Sequence, residues 1–76
     1  MNKKRRECLD VAINYINMGK EIIKDVKQEE EFAYDNLPEN LQYSDRGCDM
    51  EDKIDNMDEV IDKIEEAISL IEDIKL

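Results

Sequence analysis

One seven-residue apolar repeat runs through both halves of the chain and breaks once, at Leu37-Pro38-Glu39-Asn40. In the first half Leu9, Ile16, Ile23, Glu30 and Leu37 take the a positions, and Ala12, Gly19, Val26 and Ala33 the d positions. In the second half the a positions are Gly47, Ile54, Ile61, Ile68 and Lys75, with Tyr43, Met50, Met57, Ile64 and Ile71 at d. A sustained 3.5-residue repeat specifies a helix with one apolar seam, and the two repeats match each other when the chain is folded back at the break. The predicted fold is therefore all-α: an antiparallel two-helix coiled-coil hairpin, a single domain over 1–76. Its first helix covers about 3–36, its turn about 37–43 and its second helix about 44–75.

Local signals agree with that division. Pro38 disfavours a helical residue before it, which ends the first helix at Asn36-Leu37. It also suits the first turn of a short segment from Pro38 to Leu41. Ser44 followed by Asp45 is a good cap for the second helix. Of the 76 residues 42% are charged, there is no Trp and only one Phe, a composition of long helices rather than sheets. Disorder is the competing reading of so much charge, but it would not keep Ile and Val in phase.

When the hairpin is closed so that a layers meet d layers, paired residue numbers add to 80: Leu9 with Ile71, Ala12 with Ile68, Ile16 with Ile64, Gly19 with Ile61, Ile23 with Met57 and Val26 with Ile54. Small residues then face large ones, and Ala33 faces Gly47. Glu30 is the one charge in the seam, expected either to fix register or to swing outward. The flanks give Lys20 opposite Asp58, Lys27 opposite Glu51 and Glu29 opposite Lys53, three pairs of opposite sign. Cys8 and Cys48 lie roughly 36 Å apart at about 1.5 Å per residue, too far for a disulfide within one hairpin. They are expected to be small thiols, buried or half-exposed, in a reducing compartment.

The first helix has more apolar residues than one seam consumes. Cys8, Val11, Tyr15, Met18 and Ile22 form a second stripe at spacings of three and four. Val60, Ala67, Leu70 and Ile74 fall on the matching flank of the second helix, with Ile22 expected beside Val60, Tyr15 beside Ala67 and Cys8 beside Ile74. A single layer between two helices is also a thin core for so short a chain. Both facts point to self-association, with two hairpins closing the stripe as a four-helix bundle, a homodimer or higher oligomer.

Charge narrows the partners. The formal net charge is −10. Residues 1–27 carry seven basic and four acidic groups, and residues 28–76 four basic and seventeen acidic, giving +3 and −13. Glu51, Asp52, Asp55, Asp58, Glu59, Asp62, Glu65 and Glu66 make the second helix an acidic rod, which repels nucleic acid directly. Such a rod could imitate a phosphate backbone in the basic cleft of a host nucleic-acid-binding enzyme. Lys3, Lys4, Arg5 and Arg6, with Tyr15, form a candidate contact for an anionic ligand. No stretch reaches the roughly 20 apolar residues of a membrane span. The basic start has no apolar run behind it, so the expectation is a cytoplasmic protein without a signal peptide.

Catalytic chemistry has little to work with. There is no His, hence no common general base or metal ligand, and a cysteine without a His partner is a poor nucleophile. No Gly-rich phosphate loop occurs. Asp45, Asp49, Glu51 and Asp52 lack the alternation and central Gly of a calcium loop. The chain is expected to be a non-enzyme without metal or cofactor.

The run Leu37-Pro-Glu-Asn-Leu-Gln, the Ser44-x-Arg-Gly step and the Ile-rich acidic helix after them resemble small proteins encoded by phages and prophages of Gram-positive bacteria. The match covers Leu37 to Met50 in detail and the rest only as helical pattern. It implies a phage origin, hence action in a host cytoplasm, and carries no mechanism. For a tiny oligomer of that origin the first expectation is an anti-defence or host-takeover inhibitor that binds a host protein stoichiometrically. The alternatives are an oligomeric sponge sequestering a nucleotide signal, and a structural or assembly module.

Overall fold

Asn2 opens the first helix: its side-chain oxygen accepts from the Arg5 backbone N–H at 2.9 Å, satisfying one of the donors that a helix start leaves free. In a computed structural model describing all residues, Met1–Leu76, that helix, α1, runs Lys3–Asp35. Asn36 closes it, with its backbone N–H and side-chain amide both donating to the Phe32 carbonyl. A one-turn helix, α2 (Glu39–Gln42), follows Pro38, and α3 spans Asp45–Lys75 behind its cap Ser44. The predicted boundaries hold to within a residue, and there are no strands. α1 and α3 pack side by side, giving a rod of 58 × 15 × 11 Å.

The connection is held by polar contacts. The Gln42 amide donates to the carbonyls of Tyr34 and Leu37 at 3.3 and 3.2 Å, pinning α2 to the end of α1. The Ser44 hydroxyl donates to the Leu41 carbonyl and accepts from the Gly47 N–H. Gly47 is buried, but not for the reason its spacing suggested. A Cβ there would collide with the backbone of Gln42 and Leu41, so the glycine admits the connecting segment rather than facing Ala33, which is exposed.

The seam of α3 matches the sequence pattern: Gly47, Met50, Ile54, Met57, Ile61, Ile64, Ile68, Ile71 and Lys75 are its buried or half-buried residues. The seam of α1 does not. Its a positions Leu9, Ile16, Ile23, Glu30 and Leu37 turn inward as expected, but they are joined by Ile13, Lys20, Lys27 and Tyr34, each one residue past the predicted d position. Ala12 and Gly19 stay half-buried at the edge, whereas Val26 is 49% exposed. Relative to the expected seam the inward face is rotated by about 50°, at about 100° per residue.

The register moves with it. Asp10 pairs with Lys75, Lys20 with Glu65, Lys27 with Asp58 and the Tyr34 hydroxyl with Glu51, and in all four the residue numbers add to 85. Layers consistent with these pairs and with the observed seam place Ile13 with Ile71, Ile23 with Ile61 and Tyr34 with Met50. That is a slip of about four residues from the expected register, or roughly 6 Å at about 1.5 Å per residue. The expected pairs Lys20 to Asp58, Lys27 to Glu51 and Glu29 to Lys53 are thereby replaced; Lys53 pairs within α3, with Asp49 at 2.9 Å. The cause is burial per residue. Ile13 removes far more apolar surface from water than Ala12, and the methylene stems of Lys20 and Lys27 cover the seam while their ammonium groups reach acids on α3. The side chain of Lys20 is only 16% exposed, that of Lys53 65%.

Candidate interaction surface

The rotated seam divides the rod into two unlike flanks. Along one, Asp10, Lys20, Lys27 and Tyr34 of α1 meet Lys75, Glu65, Asp58 and Glu51 of α3. Lys27 also pairs with Glu31 at 3.2 Å, and Lys75 with Glu72 at 3.1 Å. Hydrogen bonds to Asp58 and then Glu31 raise the Lys27 pKa, and those to Asp10 and then Glu72 raise that of Lys75. Each pair is screened by water and worth little alone, so this flank selects register more than it stabilises the hairpin.

Tyr34 carries the clearest electrostatic signature. Its hydroxyl donates to Glu51, and that bond, then desolvation and the nearby carboxylate charge, push its pKa up to about 12. Deprotonation would destroy the donor, so the contact is intact below the ordinary phenol range near 10 and is lost as pH rises through about 12. A phenolate absorbance titration should therefore resolve one late-ionising group among the three tyrosines. Tyr34→Phe should remove that step, and its persistence in the variant would place the late phenol elsewhere.

The opposite flank is apolar and uncovered. Val11, Tyr15, Met18 and Ile22 of α1 are 52, 69, 61 and 63% exposed, and Cys8 above them is exposed too. On α3, Val60, Ala67, Leu70 and Ile74 are all exposed. The structure thus leaves uncovered every residue the sequence assigns to self-association. The expected pairing of Ile22 with Val60 is corrected: Val26 shares a groove with Val60, alongside Glu30, Lys53, Asn56 and Met57. A second groove continues over Val60, Ile64 and Ala67. Val26 lies at the surface although the a/d assignment buries it; an a/e assignment of α1, which credits the stems of Lys20 and Lys27, exposes it. Phe32 at the far end of α1, and Leu41 and Tyr43 at the connection, are exposed aromatic and aliphatic groups that periodicity did not assign to a surface.

The acidic rod is split. Glu51, Asp58 and Glu65 are engaged with α1, and Glu66 pairs with Lys63 at 3.6 Å. Asp52, Asp55, Glu59 and Asp62 have no cation within 4.0 Å and follow one outer face of α3 at spacings of three and four. Lys3, Lys4, Arg5 and Arg6 are likewise exposed and unpaired. Tyr15 does not join them into one cluster, since nine residues of helix separate it from Arg6, roughly 14 Å at about 1.5 Å per residue. Cys8 and Cys48 are both free, and both are exposed rather than buried or half-buried. No helix is long and apolar enough to cross a membrane. Neither a protein-family model, nor a curated protein, nor a solved structure matches the chain.

Proposed function

We propose that this chain is a non-enzymatic, phage-type binding protein acting in a host cytoplasm. It self-associates through its apolar flank into a four-helix bundle, and it presents the outer acids of α3 to a basic surface on a host protein, which it inhibits by stoichiometric binding. The uncovered apolar flank carries this reading, because a hairpin that confines its interhelical ion pairs to one side leaves the apolar residues of the other without cover in water. Asp52, Asp55, Glu59 and Asp62, which no intramolecular cation neutralises, supply the field that would steer and hold a basic partner.

Sedimentation equilibrium tests the first half. A species of at least twice 9.0 kDa is expected, returning to one chain when Ile22→Glu and Val60→Glu are combined while helical circular dichroism is retained. A native chain that sediments as a monomer at every concentration sinks the bundle. The host-protein half is tested by affinity capture from host lysate, followed by the salt dependence of binding to whatever protein is captured. Affinity should fall steeply with ionic strength and with Asp55→Lys, and insensitivity to both would move the contact to the apolar residues. A nucleotide sponge is the second reading, favoured by four unpaired cations at Lys3, Lys4, Arg5 and Arg6. Calorimetric titration with nucleotides that gives no heat removes it.

A further inference from the structure

The exposed stripe on α1 has a symmetry that the hairpin itself does not use. Lys4, Cys8, Val11, Tyr15, Met18, Ile22 and Asp25 follow one face at alternating spacings of three and four, and all seven are exposed. The apolar residues extend evenly on either side of Tyr15, and the two ends carry opposite charge. Neither Lys4 nor Asp25 has an ion-pair partner within the chain. The flank of α3 from Val60 to Ile74 runs beside residues 11–25 of this stretch, in the register set by Lys20–Glu65 and Lys27–Asp58.

A two-fold contact requires that residue i meet residue j and j meet i. Two copies of this stripe laid parallel would set Lys4 against Lys4 and Asp25 against Asp25. Laid antiparallel about Tyr15, they set Lys4 of each copy beside Asp25 of the other, Cys8 beside Ile22, and Ala12 beside Gly19. Gly19 gains a reason in that arrangement. Nothing in the hairpin lies within 4 Å of where its Cβ would stand, so intramolecular packing does not require glycine in the middle of this helix.

We infer that α1 packs against α1 of a second copy, antiparallel and two-fold symmetric about Tyr15, with the ends closed by Lys4 of one copy and Asp25 of the other. This rests on the self-association proposed above and gives it an orientation.

The test uses the full-length chain and separates the two claims. Sedimentation of the native chain addresses association alone, and a persistent monomer overturns both claims together. Orientation is read by oxidative cross-linking. Cys48→Ser combined with Ile22→Cys should yield a covalent dimer through Cys8 and position 22 of the other copy, since these two positions lie roughly 21 Å apart within one helix at about 1.5 Å per residue. Cys48→Ser alone should yield none. A Cys8-to-Cys8 dimer in that single variant, or failure of the double variant to cross-link while still dimeric, overturns the antiparallel pairing and leaves association standing. Charge exchange gives an independent readout. Lys4→Asp and Asp25→Lys should each weaken dimerisation about tenfold, the combined exchange returning it to within about threefold of native, because two symmetric rim pairs become like-charged in each single variant. Additive losses in the combined exchange would sever Lys4 from Asp25.

Discussion

Ile61→Ala should lower the free energy of unfolding by about 3 kcal/mol, whereas Val26→Ala should change it by less than about 1 kcal/mol. Ile61 is 8% exposed and lies in the middle of the α3 seam, where each helix is packed against a neighbour on one side only. Removing three carbons there leaves a void that neither helix can close without breaking the layers on both sides. Val26 belongs to the d positions on periodicity, yet it is half-exposed, and its truncation removes little that the hairpin holds out of water. Urea unfolding followed by circular dichroism, at a concentration low enough to keep the hairpin monomeric, measures both. Equal losses would return the α1 seam to Ala12, Gly19 and Val26. A core of this size rarely supplies more than about 3 to 5 kcal/mol, so Ile61→Ala should leave the dilute hairpin only marginally stable.

Gly47→Ala should destabilise by about 2 kcal/mol, against the usual gain of about 1 kcal/mol when a helical glycine becomes alanine. The sign reverses because the added methyl would meet the backbone of Gln42 and Leu41, which cannot rotate aside as a side chain can. The connecting segment would have to lift away, and the Gln42 bonds to Tyr34 and Leu37 would go with it. Gly19→Ala is the internal control. Its Cβ enters open space, so in the dilute hairpin it should stabilise by about 0.5 to 1 kcal/mol. The two glycines look alike in sequence, each within a long helical pattern, and the same unfolding experiment should separate them by sign. A stabilising Gly47→Ala would mean that the connection does not press on α3.

The parts of the fold legible in the sequence are those that local chemistry controls. Pro38, Asn36 and Ser44 end and start helices through backbone sterics and capping, which act over a few residues and need no knowledge of the partner helix. The α3 seam was legible for a related reason: large apolar side chains stand at nearly every inward position from Met50 to Ile71, leaving no competing stripe of equal weight. On α1 two stripes compete, and counting apolar residues favoured Ala12, Gly19, Val26 and Ala33 over Ile13, Lys20, Lys27 and Tyr34. That count treats lysine as polar throughout. In the hairpin Lys20 and Lys27 act as hydrocarbon over most of their length, and Tyr34 gives its ring to the seam edge and its hydroxyl to Glu51.

The candidate surface inherits that division. Cys8, Val11, Tyr15, Met18 and Ile22 were recognisable because they exceed what one seam can consume, whichever of the two neighbouring positions completes it. The acids of α3 were not separable in sequence into engaged and free ones. Glu51, Asp58 and Glu65 differ from Asp52, Asp55, Glu59 and Asp62 only in angle about the helix relative to α1, a quantity set by the register.

By itself, then, the sequence determined two long helices, the place where they turn, the inward face of the second and an apolar surplus on the first. Only the tertiary structure decided which face of α1 turns inward, how far α1 slides along α3, and why Gly47 is glycine. Helix identity is a sum of short-range terms, each visible in a few neighbouring residues. Register is a comparison between whole packings that differ by about one turn. It is settled by long side chains whose stems and charges act in different places at once, as Lys20 and Lys27 do when they cover the seam and reach Glu65 and Asp58 beyond it.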